Sequence, residues 1–434
     1  MNNTAKEKTG FFRKDGVKSV IASLICILGG ILFGFLVLVL LAAFNENIPI
    51  SKAFTGIYTV IIGPFSAGSS DLALKELGDM LFQATPLIMT GLSVALAFKT
   101  GLFNIGAPGQ YLMGAMGTML VALSIPTDVV PAWIVWILAL LAGIVCGVVW
   151  GAIPGFFKAK FNVNEVIVCI MTNWIAGNIV SWVFKESRYI NYAETKMNFL
   201  SKTSSNGVST LGAGKMLGTS SMDVSIFIAS AIAVVIYVIL NKTTFGYELR
   251  ACGFNKNASK YAGMNEKRNI VLSMAIAGGL SACGAALWCL NGTTDFLWEA
   301  YQTMPADGFN GIPAALLASN NPIGVIFSSL FLKHLVMGGS NLGAYTSFND
   351  QVPNLITAVI IYFSGAAKLI KDLLSRKKKR ITEEKMRAVS GPVMLNADED
   401  ATDVTNAEDG AGFEESAAPK NGTDDGEETE GGDE

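Results

Sequence analysis

Long uncharged apolar runs, separated by shorter polar stretches, make up most of the first 370 residues. The first run, Ser19 to Phe44, is long enough to cross a hydrocarbon core of about 30 Å as a helix. Pro86 interrupts the second run, and the runs around Met80 and Ile312 are short or broken. The pattern predicts an all-α, polytopic membrane protein with about ten transmembrane helices, or eight if the broken runs do not cross. The predicted spans are 19–44, 79–98, 111–125, 133–155, 163–184, 224–240, 270–290, a broken helix near 312, 323–337 and 353–370.

Lysine and arginine residues predict the orientation of these spans, because cytoplasmic loops carry an excess of them. Basic residues lie just before the first span, at Arg13, Lys14 and Lys18, and just after the last, from Lys371 to Arg380. Both termini are therefore predicted to be cytoplasmic in a multi-pass plasma-membrane protein. The chain then has three regions: a cytoplasmic N-terminus at 1–18, a transmembrane domain at 19–370, and a basic and then acidic cytoplasmic tail at 371–434.

The composition agrees with a membrane location, since 51% of the 434 residues are hydrophobic and only 15% are charged. The net charge of −3 combines two different regions. From Asn396 onward there are fifteen acidic residues and one lysine, so the rest of the chain carries 31 basic and 20 acidic residues, a net charge of +11. Low hydrophobicity and repeated acidic residues predict disorder from about Ile381 onward.

The polar stretch 241–268 separates two long apolar runs, and its basic residues outnumber its acidic ones. This excess predicts a cytoplasmic loop. Asn257 is predicted to cap a short helix that Gly263 ends. Such a helix would present a small apolar face with one aromatic residue, suited to a groove on another protein. An ordinary solvated loop is the alternative. The predicted face lies at i, i+3 and i+4, on Ala258, Tyr261 and Ala262.

The stretch GLFNIGAPGQ, at 101–110, contains three glycines and Pro108 between apolar flanks, and is predicted to break a helix. Irregular backbone at membrane depth is tolerated only where it lines a cavity or is buried in protein. In a cavity, Asn104 and Gln110 would offer amide groups to a solute. A tight cytoplasmic turn between two spans is the alternative.

A second stretch, GFNGIPAALLASNNPIG at 308–324, repeats part of this pattern. Phe309 and Asn310 echo Phe103 and Asn104, each pair with a glycine close behind and a short helix after it. Such an echo is expected of a transporter built from two related halves with paired broken helices.

Polar residues also occur inside the predicted span 163–184. Glu165, Thr172 and Asn173 share one helical face, and intramembrane polar groups normally face the bundle interior or a watery cavity. Asn173 is a candidate for a solute pathway. For Glu165 the alternatives are a pathway role, or a structural one in which it caps the helix N-terminus or pairs with Lys160.

Catalytic and nucleotide-binding signatures are absent. GAGKM lacks the first glycine and the final Ser or Thr of a phosphate-binding loop, because Ser209 and Met216 occupy those positions. We therefore expect no catalytic residue, cofactor or metal in this chain, and ATP, if it is used, must be hydrolysed by a partner. An ion-coupled carrier is the main rival hypothesis, and its candidates for a proton relay are Glu165, Lys333 and His334.

Five stretches carry a resemblance to a known family: TPLIMTGLSVALAF, LFNIGAPGQ, NEVIVCIMTNWIA, FGYELRACGFNKNASKYAGMN and GFNGIPAALLASNNPIG, spread from Thr85 to Gly324. In order and spacing they resemble ABC importer permeases of the nucleoside and simple-sugar branch, and most of all nucleoside permeases that take up guanosine and related solutes. Simple-sugar and riboflavin permeases share the scaffold, so these solutes remain alternatives. This chain departs from the pattern at Pro108, where relatives carry an acidic residue.

The resemblance implies an ABC importer permease fold and an import machine with several partners. These are ATPase subunits, a second and often different permease chain, and an extracytoplasmic solute-binding lipoprotein, acting on a nucleoside across the bilayer and not on nucleic acid. The predicted solute pathway comprises Phe103, Asn104, Gln110, Asn173, Phe309 and Asn310, with the phenylalanines as stacking faces for a base. The predicted ATPase coupling surface comprises Arg250, Asn255, Lys256, Ala258, Lys260, Tyr261 and Gly263.

Overall fold

The computed structural model describes residues 15–45, 48–127, 129–187, 189, 197–198, 221–291, 297–298, 302–346 and 348, with short helical pieces at 355–356, 358–359 and 362–363. All of them belong to one unit, Met1–Lys379. The predicted acidic tail and most of the predicted last span, 353–370, lie outside the described residues.

The described residues form α-helices, a 3₁₀ helix at Gly63–Ser66 and one short pair of strands. Strands β1, Met197–Asn198, and β2, Leu297–Trp298, pair antiparallel with Met197 opposite Trp298. The fold is therefore all-α, as the apolar pattern predicted. The helices in chain order are α1 Asp15–Phe44, α2 Ser51–Ile62, α3 Ser70–Lys99, α4 Ala107–Ser124, α5 Ala132–Phe161, α6 Glu165–Lys185, α7 Ser225–Lys242, α8 Thr244–Phe254, α9 Lys256–Tyr261, α10 Glu266–Cys289, α11 Ala306–Leu317, α12 Pro322–Ser340 and α13 Leu342–Tyr345.

Within the described ranges, seven helices are long and apolar enough to cross a membrane: α1, α3, α5, α6, α7, α10 and α12. Burial separates them into central and peripheral helices. In α3 and α10, 83% of the span is buried, compared with 22% in α1 and 28% in α5. Helices α4 and α11 pack beside the central pair, α3 and α10. The prediction of about ten spans consists of the seven helices above, these two helices and the stretch at 353–370.

Glycines line the most extensive helix contact in the described ranges, which is between α5 and α10. A Cβ atom added to Gly147 would lie 2.6 Å from the carbonyl oxygen of Gly278. Small residues at such crossings let helix backbones approach closely in a membrane. Helix α4 approaches α10 in the same way, because a Cβ on Gly114 would lie 2.5 Å from that of Ala282. The small residues of α10 therefore lie where it packs most closely against its neighbours.

Two predictions about individual helices are wrong. Pro86 does not interrupt the second span, because α3 runs unbroken through it. Prolines are tolerated inside membrane helices where neighbouring groups and local adjustments satisfy the backbone that they leave unpaired. Helix α4 begins at Ala107 and not at Tyr111, since a proline at position 108 lies in the first turn, where its missing N–H removes no helical hydrogen bond.

Candidate functional site

The 101–110 segment joins α3 to α4 and turns sharply at its start. Gly101 has a positive φ of 73°, a conformation that glycine adopts without steric cost. Asn104 is fully buried and its Oδ1 accepts from the backbone N–H of Gly106 at 3.1 Å. The irregular backbone is thus buried in protein, which is one of the two conditions under which membrane proteins tolerate it.

Asn104 and Gln110 bind each other through both ends of their amides. The Asn104 Nδ2 donates to Gln110 Oε1 at 2.8 Å, and the Gln110 Nε2 donates to Asn104 Oδ1 at 3.0 Å. Asn104 also donates to the Ser93 hydroxyl on α3, at 2.9 Å. These bonds fix the segment between α3 and α4 through amides that are buried in the protein interior.

Asn173 of α6 joins the same segment from the other side. Its Oδ1 accepts from the backbone N–H of Gly109 at 3.0 Å, and its Nδ2 donates to the carbonyl of Ile105 at 3.0 Å. The structure therefore brings three predicted pathway residues together, but their amides bind protein groups. Their direct contact with a solute remains a prediction, while their role in shaping the segment is evident from the hydrogen bonds.

Asn104→Ala is expected to destabilise the protein by about 1–3 kcal/mol, because the Gln110 amide would stay buried without its partner. The loss would appear as a lower melting temperature of the purified full-length protein in detergent. Asn178→Ala is a matched control, since Asn178 is exposed and its amide donates to a carbonyl of its own helix. Equal melting temperatures for the two variants would contradict this account.

Helix α11 meets the 101–110 segment at its first turn. A Cβ on Gly308 would lie 2.5 Å from the Cα of Pro108, so the two stretches that echo each other in sequence are in direct contact. Beside this contact, the Thr90 hydroxyl donates to the carbonyl of Asp307 at 2.8 Å. The Asp307 carboxylate pairs with Lys333 of α12 at 3.0 Å.

The three remaining pathway candidates differ in their surroundings. Phe103 stacks on Phe98 with ring centroids 5.1 Å apart, so one of its faces is already covered. Phe309 is 40% exposed. Asn310 is half-buried, and no hydrogen bond of its side chain occurs within the described residues. Phe309 and Asn310 therefore keep surface that a solute can contact, unlike the three buried amides.

In the 241–268 loop, the short helix α9 is shifted from its predicted position. Its N-cap is Asn255, whose side chain accepts from the N–H of Ala258 at 3.0 Å, and not Asn257. The predicted stop at Gly263 is confirmed by its φ of 78°. The N–H groups of Gly263 and Met264 bond back to the carbonyls of Lys260, at 3.1 Å, and Ser259, at 3.0 Å, which is the Schellman arrangement.

The surface of α9 is open, as predicted for Ala258 and Tyr261, and the Tyr261 side chain is 93% exposed. Phe254, at the end of α8, is 96% exposed. Phe254 was not among the predicted coupling residues, although its place in a polar loop was a signal. Among the other coupling candidates, Lys260 is exposed, Arg250 is half-buried, and Lys256 lies 3.8 Å from Glu266.

Helix α8 is pressed against the start of the 101–110 segment. A Cβ on Gly101 would lie 2.7 Å from the Cα of Gly253, and one on Gly253 would lie 2.5 Å from the carbonyl carbon of Thr100. The Thr100 hydroxyl in turn hydrogen-bonds that of Ser273 on α10. The loop that displays Tyr261 is thus in backbone contact with the segment that Asn104 anchors, a connection that sequence patterns did not indicate.

Glu165 has the structural environment expected for a residue at the end of a span, but with a different partner. It forms an ion pair with Lys158 at 2.9 Å, not with Lys160, which lies over the ring of Phe156 at 5.4 Å. The cap of α6 is Asn164, which accepts from the N–H of Val166 at 2.9 Å. Glu165 therefore sits in the first helical turn, where a negative charge is favourable.

The helices cross at buried contacts, buried amides hold the irregular 101–110 segment, and the 241–268 loop contacts this segment through backbone atoms. These features define a polytopic α-helical membrane protein of the transporter class. The family model of the branched-chain amino acid transport system / permease component matches residues 77–364. The chain belongs to this family.

Three relatives illustrate the similarity. The guanosine ABC transporter permease protein NupP of Bacillus subtilis is 35% identical over 70% of this chain and 84% of its own length. The nucleoside ABC transporter permease protein NupB of Lactococcus lactis is 31% identical over 83% of this chain and 94% of its own. The glucose ABC transporter permease protein TsgB13 of Haloferax volcanii is 31% identical over 68% and 77%.

Proposed function

We propose that this chain is the membrane-spanning permease subunit of an ATP-driven ABC importer for nucleosides, guanosine among them. The observation that carries the proposal is the similarity to two permeases named for guanosine and nucleosides, across 84% and 94% of their lengths. The glucose permease is similar over a smaller share of both chains, so a sugar is the second candidate solute.

In this proposal, separate ATPase subunits supply the energy by docking on the 241–268 loop from the cytoplasmic side. Support comes from two exposed aromatic side chains, Phe254 at the end of α8 and Tyr261 on the short capped helix α9, since aromatic anchors carry much of the energy of protein interfaces. A second permease chain and an extracytoplasmic solute-binding lipoprotein complete the assembly, and both termini of this chain are cytoplasmic.

The contact between Gly253 and Gly101 suggests how movement reaches the solute pathway. When the ATPase subunits shift the loop, α8 carries the start of the 101–110 segment with it, because the two backbones have no space between them. The side-chain hydrogen bonds of Asn104, Gln110 and Asn173 then transmit the shift to α4 and α6. Packed elements transmit displacements in this way because interiors have little free volume.

A nucleoside would meet the exposed parts of α11 in this pathway. The half-exposed Phe309 ring offers a stacking face for a base, and the Asn310 amide offers both a donor and an acceptor. Ion coupling finds less support, because Lys333 is paired with Asp307 and a ring nitrogen of His334 lies 2.8 Å from the Ile61 carbonyl oxygen.

Uptake of labelled guanosine tests the proposal directly. Cells without their own nucleoside importers would express this chain with its ATPase, binding protein and second permease, and unlabelled adenosine, ribose, glucose or riboflavin would compete. We expect uptake that requires an intact ATPase and is inhibited by nucleosides alone. Uptake that follows the proton gradient without the ATPase would refute ATP coupling, and inhibition by glucose alone would identify a sugar permease.

Tyr261→Ala is expected to reduce this uptake about tenfold, because it removes an exposed aromatic anchor from the proposed ATPase contact. The variant should remain in the membrane at normal abundance, and less ATPase should co-purify with it. Tyr58→Ala is the control, since Tyr58 is a similarly exposed aromatic, 64%, on α2. Normal uptake by the Tyr261 variant would argue against docking at this loop.

A further inference from the structure

An open cavity of about 770 Å³ lies between the end of α7 and the start of α10. Its position is at the edge of the apolar region, because the apolar run of α7 ends at Leu240 and that of α10 starts at Ile270. The cavity does not include the 101–110 segment, but it adjoins the predicted ATPase coupling surface, because Arg250 and Gly263 line it. We call it the basic pocket. Its lining includes Lys242, Thr243, Tyr247, Arg250, Asn265 and Arg268.

Positive charge dominates the basic pocket. Lys242, Arg250 and Arg268 line it, against a single carboxylate, Glu248. In the part of the chain that the structure describes, none of the three cations is in an ion pair. An uncompensated group of this kind attracts an anion, and basic pockets between membrane helices on the cytoplasmic side are suited to lipid headgroups.

Two helix N-termini also border the basic pocket. Thr243 is the N-cap of α8 and accepts from the N–H of Gly246 at 3.0 Å, and Asn265 is the N-cap of α10 and accepts from the N–H of Arg268 at 3.0 Å. Both caps line the cavity. Because helix N-termini carry partial positive charge, they add to the attraction of the three cations for an anion.

An exposed apolar stripe on α7 leads to the basic pocket. Val234 and Val238 are 49% and 45% exposed, and with Lys242 they lie at i, i+4 and i+8, on one side of the helix. Tyr247, 59% exposed, also lines the pocket, and amphipathic aromatic rings of this kind favour the membrane interface. A ligand that is anionic at one end and apolar along its length fits this arrangement, whereas an acidic peptide or free phosphate leaves the stripe uncovered.

We propose that the basic pocket binds the phosphate headgroup of an anionic phospholipid, whose acyl chain lies along Val234 and Val238. The proposal depends on the membrane location of the chain and not on its solute. The bound lipid would tie the end of α7 to the start of α10. Because both helices flank the 241–268 loop, the lipid composition of the membrane would influence how far this loop can move.

Lipid binding to the full-length protein in nanodiscs tests the proposal, with retained phosphatidylglycerol measured by native mass spectrometry and phosphatidylcholine as the zwitterionic reference. Lys242→Gln with Arg268→Gln is expected to lower the affinity for phosphatidylglycerol about tenfold. The control pair Lys160→Gln with Lys267→Gln removes the same charge from exposed positions outside the pocket, and should retain the lipid. Lys242→Arg with Arg268→Lys keeps both charges and should also retain it, which separates loss of charge from loss of structure.

A displacement experiment and the co-purification of the ATPase identify the ligand. Glycerophosphoglycerol has the same singly charged phosphodiester headgroup as phosphatidylglycerol but no acyl chains, and we expect it not to displace the lipid at equal concentration. Displacement, or equal retention of phosphatidylglycerol by all variants, would overturn the proposal. So would a Lys242/Arg268 variant that loses its ATPase partner but keeps its lipid, because the pocket would then serve the protein contact.

Discussion

Replacing Gly253 with valine is expected to reduce ATP-dependent uptake about a hundredfold while the ATPase subunit stays bound. The side chain has no space, because even a Cβ at this position would lie 2.5 Å from the carbonyl carbon of Thr100 and 2.6 Å from the backbone nitrogen of Gly101. Overpacking of this kind costs about 1–3 kcal/mol, and about 2.7 kcal/mol corresponds to a hundredfold change. Since both neighbours are backbone, the 241–268 loop and the 101–110 segment must move apart.

Three measurements on one preparation separate the possible causes. Membrane abundance reports folding, co-purified ATPase reports docking, and guanosine uptake reports coupling. Gly29→Val is the control, since Gly29 is also helical but has nothing within 4 Å of an added Cβ. Uptake by the Gly253 variant equal to that of the control would show that this backbone contact does not transmit movement.

The Gly253 and Tyr261 variants should fail in different ways. Tyr261 is exposed and touches the proposed partner, so its loss is expected to weaken ATPase binding. Gly253 lies in the part of the loop that packs against the end of α3. Its replacement is therefore expected to preserve ATPase binding and to block the movement of the 101–110 segment. If both variants lost the ATPase, the structure of the whole loop would have changed, and the two steps would not be separable at these residues.

The apolar pattern predicted which stretches form helices better than it predicted where those helices lie. Helix α1 is the most apolar of the candidate spans in the described ranges, yet it is the least buried, whereas the less apolar α3 and α10 form the centre. The reason is that lipid is as apolar as a protein interior, so hydropathy cannot separate a lipid-facing helix from a central one. Glycines such as Gly278 indicate where two helices meet and not which helix is central, since α5 has four buried glycines although only 28% of its span is buried.

The candidate site was predictable in its residues but not in their partners. The glycines at 101–110 indicated the break, but nothing indicated the amide pair of Asn104 and Gln110, because it depends on how the segment folds back on itself. The contact of Gly253 with Gly101 joins residues about 150 positions apart, and a single sequence contains no signal for it. The shift of the α9 cap from Asn257 to Asn255 arose because both are good capping residues and only the backbone selects between them.

The ion pair of Asp307 and Lys333 is expected to show the largest effect on stability. Lys333→Met should lower the free energy of unfolding by about 3 kcal/mol, because it leaves the largely buried Asp307 carboxylate without a partner. The side chains of Lys333 and Asp307 are 12% and 20% exposed. Adding Asp307→Asn to Lys333→Met should restore most of the loss, since the double variant leaves no unpaired charge. Thermal unfolding of the purified full-length protein in detergent measures both.

Lys256→Met is the internal control for this pair, because Lys256 and Glu266 are 3.8 Å apart and 42% and 27% exposed. An exposed pair contributes about 0–1 kcal/mol, so this variant should melt close to the parent. If the double variant were no more stable than Lys333→Met, the loss of stability would come from the packing of the lysine stem and not from the unpaired Asp307 carboxylate. Recovery would instead show that the loss in Lys333→Met comes from the unpaired Asp307 carboxylate in the first turn of α11, next to the Phe309 and Asn310 side chains proposed to meet the solute.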